Sequence, residues 1–138
     1  MKVTLRRTTG AQFEARNEAG QVAVLDGPPD VGGRGAGVRP MELLLMSLGG
    51  CSAVDVLLIL QKQRQAYTGL DVTVDGARAD AVPAVFTRIH LHFEAEGDVD
   101  PKKLEHAVAL SMEKYCSVAK MLEHTAKITF TSSVRAPA

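Results

Sequence analysis

The residues predict a mixed domain in which short strands surround one long apolar helix, and two observations carry that reading. Residues 39–65, RPMELLLMSLGGCSAVDVLLILQKQRQ, are apolar almost without interruption from Leu43 to Leu60. The stretches before and after show the period-two alternation of strands, punctuated by glycine. Pro40 suits the first turn of a helix, where its missing N–H is not needed, and Lys62 and Arg64 suit the negative end of the helix dipole. The expected span is 41–66, closed by Thr68-Gly69. Because the apolar residues run nearly all the way round, the helix is expected to be buried on most sides. A membrane span is the rival reading, and Asp55 and the Gly49-Gly50 pair in mid-segment argue against it.

A chain of 138 residues, 46% hydrophobic and 23% charged, can bury a core and is expected to form a single domain over residues 1–138. Lys plus Arg equal Asp plus Glu at 16 each, without a charged block, so neither a nucleic-acid nor an anionic-membrane partner is expected. MKVTLRRTTGAQFEAR at the N-terminus has basic residues but no apolar core of a secretory signal. The expected location is therefore the cytoplasm. In such a reducing compartment the two cysteines, Cys51 and Cys116, are more often redox-active or simply buried than permanently bridged.

Val3-Thr4-Leu5, Gln12 to Ala15 and Gln21 to Leu25 read as strands of an antiparallel meander, reversing at Thr9-Gly10 and Ala19-Gly20. Residues 26–37, DGPPDVGGRGAG, form a loop that is expected to bring Arg34 and Arg39 to the start of the long helix. A glycine-rich loop before a helix can cradle phosphate, but the spacing fits neither a Walker nor a dinucleotide pattern. After the helix, Leu70 to Asp75 alternates as a strand. Val85 to Glu94 alternates again, with Val85, Thr87, Ile89, Leu91 and Phe93 expected on one face and Phe86, Arg88, His90, His92 and Glu94 on the other. His90 and His92 supply two metal-capable side chains where zinc needs three or four, so no metal is expected there. Asp100-Pro101 caps a second helix carrying Leu104, Val108, Met112 and Tyr115 and ending near Cys116. A short helix over 117–124 and a strand over 126–134 complete the chain, with His106 and His124 as helix-surface residues.

At 100° per residue, Leu44, Leu48, Cys51, Asp55 and Leu58 share a face of the long helix. Glycine inside a helix costs about 0.5–1 kcal/mol relative to alanine, so Gly49-Gly50 beside Cys51 implies close approach by a neighbouring element or a substrate. Two readings of Cys51 stand side by side: a small buried residue in a tight helix crossing, or a reactive thiol in an apolar wall.

The run P-x-E-L-L-L-x-x-L-G-G-C-x-x-x-D at 40–55, followed by K-Y-C-S-V-A-K-M-L at 114–122 with its cysteine 65 positions after Cys51, resembles the OsmC/Ohr family of osmotically inducible and organic-hydroperoxide-resistance proteins. The order of elements matches over essentially the whole chain. The resemblance implies an OsmC-like α+β fold of antiparallel sheets around a long central helix, assembled as an intertwined homodimer. It also implies a chemistry in which Cys51 reduces an organic hydroperoxide, Cys116 resolves the sulfenic acid as a disulfide, and an external dithiol restores both thiols without a bound cofactor.

A reactive thiol needs positive charge close by, because burial and Asp55 both oppose ionisation, and Arg39 is the first candidate for that charge and Arg34 the second. In the family's peroxidases a glutamate ten residues before the reactive cysteine holds the arginine. Here that position is Met41, while Glu42 stands nine before Cys51 and faces away from it on a regular helix. Ser117 likewise stands where those peroxidases have proline. Two functions are therefore expected as alternatives: a thiol-dependent peroxidase for organic hydroperoxides, or a non-catalytic homodimer that binds a small apolar ligand or senses oxidants through the cysteine pair.

Overall fold

The computed structural model describes residues 1–137 and has the order β1 (Val3–Thr9), β2 (Gln12–Asn17), β3 (Val22–Leu25), α1 (Pro40–Lys62), β4 (Ala66–Arg78), β5 (Phe86–Asp98), α2 (Pro101–Leu110), α3 (Ser117–Leu122) and β6 (Lys127–Arg135). It falls into two compact units, Met1–Leu44, which includes the opening turn of α1, and the chain from Leu45 onward.

In the first unit β1, β2 and β3 form the expected antiparallel meander. Registers Leu5↔Ala15 and Ala15↔Ala23 put Val3, Leu5, Phe13, Ala15, Ala23 and Leu25 on one face, because directly paired residues share a side of the sheet. The loop after β3 folds back on the β1–β2 turn, with the Gly27 N–H donating to Ala11 O at 3.2 Å. Here glycine is a steric necessity: a Cβ on Gly33 would lie 1.7 Å from Gly27 O. At the entry to α1, the Arg39 carbonyl accepts the first intrahelical bond from Leu43 N at 3.0 Å, and Glu42 Oε1 accepts from Arg39 N at 2.8 Å. Glu42 therefore works as half of a capping box.

In the second unit β4, β5 and β6 form one sheet, β4 antiparallel to β5 and β6 parallel to it. The parallel pair follows from the connection, since a parallel neighbour needs a long crossover and α2 and α3 supply it. Ile89, Leu91, Phe93 and Ala95 of β5 join Leu48, Val56 and Leu60 of α1 and Leu104, Ala107, Val108 and Met112 in the core. The opposite face of the sheet is polar. There His90 bonds the hydroxyls of Thr129 (2.7 Å) and Thr131 (3.1 Å), and His92 those of Thr131 (2.7 Å) and Ser133 (2.9 Å). Arg135 closes the ladder by pairing with Asp71 (2.8 Å), Glu96 (3.0 Å) and Glu94.

Four details differ from the sequence reading. The long helix stops at Lys62, because Arg64 adopts a left-handed φ of 56° and the bonds Arg64 N to Gln61 O and Gln65 N to Leu60 O, both 3.0 Å, close a Schellman cap. Thr68 and Gly69 consequently lie inside β4. Phe86 is buried and Thr87 exposed, because a register shift opposite Ala77 and Arg78 inverts the alternation at the start of β5. The second helix changes at Ser111 into a π-turn over Ser111–Tyr115, which adds a residue to the turn and leaves Tyr115 exposed. Finally, α1 is not buried on most sides within the chain: Leu48, Ser52, Val56 and Leu60 form a buried stripe, while Met46, Val54 and Leu58 are each more than half exposed.

By length and composition α1 could cross a membrane. Its buried stripe packs as a core helix packs, and a Cβ at Gly49 would meet Val74 Cγ2 of β4 at 3.0 Å.

Candidate functional site

Cys51 sits in the middle of α1, half-buried, on the turn that also carries Ser52 and Asp55. Ser52 is fully buried and turned back on its own helix, its hydroxyl 2.8 Å from Leu48 O and 3.1 Å from Gly49 O. Of the glycine pair only Gly49 makes a close approach. Gly50 is exposed, and a Cβ there would meet nothing within 4 Å. Leu58, expected on the Cys51 face, points outward instead.

Cys116 arrives from the far end of the π-turn. Its N–H donates to Ser111 O at 2.7 Å, its backbone is extended, and it caps α3 by accepting the Ala119 N–H on Sγ at 3.4 Å. The side chain is completely buried, and the Cys51 thiol is near enough to act on its ionisation. Burial pushes the Cys116 thiol up to about 11; the neighbouring Cys51 thiol adds to the rise, while the Ala119 and Val118 N–H groups oppose it. Cys116 therefore keeps its proton near neutrality. Both sulfurs are free thiols. Two residues 65 positions apart in the chain thus form one dithiol pair, with one member half accessible and the other enclosed.

Ser111 joins the two elements. It is fully buried, and its hydroxyl lies 3.1 Å from Ser52 O and 3.2 Å from Asp55 Oδ2. Nothing in the sequence singles it out beyond a polar residue three positions after Val108 on the apolar side of the second helix.

Arg34 and Arg39 belong to the first unit, where Asp26 gathers them. Asp26 is buried, and its Oδ2 accepts the N–H groups of Arg34 (2.9 Å) and Ala36 (3.2 Å). The Arg34 N–H chiefly, with the Ala36 and Gly27 N–H groups and the Arg39 charge, holds the Asp26 carboxyl below its usual value against the opposing effect of burial. The donors that a glycine-rich loop could offer a phosphate are thus engaged by the protein's own carboxylate. The place of Asp26 at the head of DGPPDVGGRGAG was the available signal, since Asp readily accepts bonds from nearby backbone N–H groups.

A mixed sheet and a long helix carrying a half-buried thiol against a buried one define an α+β dithiol protein. The profile of OsmC-like proteins matches residues 33–131, and the chain belongs to that family. It is 39% identical over 135 residues to protein YhfA of Escherichia coli strain K12, covering 97% of this chain and 98% of YhfA. The crystal structure of a hypothetical protein from Aquifex aeolicus VF5 superposes with a TM-score of 0.87 at 34% identity, over 99% of this chain and 97% of that one. An organic hydroperoxide resistance protein from Legionella pneumophila shares the fold at a TM-score of 0.72 and 16% identity, over 96% and 97% of the two chains.

Proposed function

We propose that the chain is a thiol-dependent peroxidase that reduces organic hydroperoxides as a cytoplasmic homodimer, using an external dithiol as reductant. The observation that carries this reading is the half-accessible Cys51 sulfur against the enclosed Cys116 sulfur, in a family whose structural neighbours include hydroperoxide resistance proteins. The Cys51 thiolate attacks the distal oxygen of R–O–OH, the O–O bond breaks, and the alkoxide leaves as alcohol after taking a proton. Cys51 is then a sulfenic acid. Cys116 displaces its hydroxyl as water to give the disulfide, and two exchanges with a dithiol regenerate both thiols. The role of Arg39 is to favour the Cys51 thiolate by its charge, with Arg34 as the alternative.

A second reading is favoured by Met41 at the family's glutamate position and by the Arg39 charge acting on Asp26. In that reading the homodimer registers oxidants through the dithiol pair, or binds a small apolar ligand, without turnover. The experiment is hydroperoxide consumption with excess dithiothreitol. The peroxidase reading expects catalytic consumption of cumene hydroperoxide by the wild type and none by Cys51→Ser. Consumption no faster than in the protein-free control would leave the sensing or ligand-binding dimer as the better account.

A further inference from the structure

The π-turn between α2 and Cys116 is a costly local geometry, and one residue holds it against the helix that carries Cys51. Ser111 is completely buried and engaged at both of its polar ends. Its carbonyl accepts the Cys116 N–H at 2.7 Å, which fixes the backbone of the cysteine itself. Its hydroxyl faces Ser52 O, the carbonyl next to Cys51 in the chain, at 3.1 Å and the Asp55 carboxylate one turn further along at 3.2 Å. The hydroxyl has a single proton, and an ionised carboxylate is the stronger acceptor of the two. A short path of bonds therefore runs from the Cys51 turn of α1 through Ser111 to Cys116. π-turns occur mostly as single bulges and frequently at functional sites.

From this we infer that Ser111 and Asp55 are a positioning pair, holding the Cys116 sulfur in place for disulfide closure with Cys51; the inference rests on the peroxidase cycle proposed above. In closure the Cys116 sulfur forms a bond to the Cys51 sulfenic sulfur and the S–O bond breaks. The oxygen leaves as water, with the proton that Cys116 loses. The Cys116 sulfur is oxidised and the sulfenic sulfur reduced, so no further oxidant is needed. Attack must come along the S–O bond, and small misplacements are expensive in such a step. The first oxidation of Cys51 needs no contribution from Ser111, and Asp55 bears on it only through a charge that opposes the thiolate, so the positioning role belongs to the second step.

The test compares wild type, Ser111→Ala, Asp55→Ala and Asp55→Asn, each checked for native circular dichroism. Thiol loss after one equivalent of cumene hydroperoxide is followed by intact mass, with dimedone to trap sulfenic acid. Ser111→Ala should oxidise at Cys51 at the wild-type rate and Asp55→Ala at least as fast, since it loses a charge that opposes the thiolate, but both should close the disulfide roughly ten- to a hundredfold more slowly. Dimedone adduct should accumulate in place of the disulfide, and sulfinic acid when a further equivalent of hydroperoxide is added without dimedone. Asp55→Asn should restore closure, because its amide oxygen still accepts from the Ser111 hydroxyl. A parallel measurement needs no peroxide: in a glutathione redox buffer, Ser111→Ala and Asp55→Ala should shift the pair toward the dithiol. If the wild type fails to react with hydroperoxide while that shift is seen, the peroxidase reading falls and the positioning role stands. Closure and redox equilibrium at wild-type values in folded Ser111→Ala, or no rescue by Asp55→Asn, would overturn the positioning role.

Discussion

Cys116 and Asp26 are both buried, and their environments push them in opposite directions. Cys116 loses hydration and sits against another sulfur, so its thiol is pushed up to about 11; the nucleophile in alkylation is the thiolate, and enclosure blocks the reagent as well. Iodoacetamide at pH 8 should therefore modify Cys51 first and leave Cys116 intact in the folded protein, with both modified in urea; equal labelling of the two in the folded chain would contradict the enclosed pair. Asp26 gains N–H donors from the loop it organises, and its carboxyl lies below the usual 3.8. The stabilisation from this carboxylate is fully present above 3.8, the unfolded value, and is lost as pH falls through the lower folded value. Asp26→Asn removes that dependence, so its melting temperature should fall less than that of the wild type between about pH 5 and pH 3. The two cysteines were legible because their residue type announces chemistry. Ser111 was not, since its value comes from bonds to a distant segment, whereas Asp26 was signalled only by its place at the head of the loop whose N–H groups it accepts.

The long helix shows what local patterns disclose and where they stop. Pro40 and the unbroken apolar run mark its start and extent, yet its end is made by Arg64 in a conformation that normally recruits glycine. A left-handed residue with a Cβ is strained by roughly 1–2 kcal/mol, and glycine returns part of that gain through the entropy of the unfolded chain. Arg64→Gly is expected to raise stability by about 0.5–1 kcal/mol in urea unfolding; a loss of stability would mean the arginine side chain contributes more than its backbone costs. The π-turn and the inverted start of β5 were equally hidden, because one added or shifted residue changes every later side without altering composition. The glycine pair now divides. Gly49→Leu must push into Val74 and should cost on the order of 1–3 kcal/mol at any protein concentration. Gly50→Leu meets open space within the chain, and its effect should be confined to whatever covers α1 from outside.

That cover is a question for the whole molecule, because each unit leaves apolar surface in water. In the first unit Val3, Leu5, Ala15, Val22, Leu25 and Leu43 are among the residues lining a shallow depression of about 380 Å³, and Val3 and Leu5 are more than half exposed. In the second unit Met46, Val54 and Leu58 lie at intervals of eight and four residues along α1, on the side away from its buried stripe. The apolar run that reads from sequence as a helix buried all round is thus buried along one stripe only within its own chain. Contiguous exposed apolar patches of this kind mark interaction sites, and a second copy of the chain is the occupant that the homodimer proposal requires. Light scattering on a sizing column should then give twice the 14.7 kDa chain mass at micromolar concentration. The melting temperature should rise with protein concentration, as mass action requires of an obligate dimer. Leu58→Glu, which places a charge on the exposed stripe and disturbs nothing buried, should shift the sizing profile toward monomer and lower the melting temperature more at low concentration than at high. Gly50→Leu should do the same if the second copy lies against the middle of α1, whereas Gly49→Leu should lower the melting temperature equally at all concentrations. A wild type that runs as a folded monomer with a concentration-independent melting temperature would leave the exposed stripe of α1 to a different partner and remove the homodimer from the proposal.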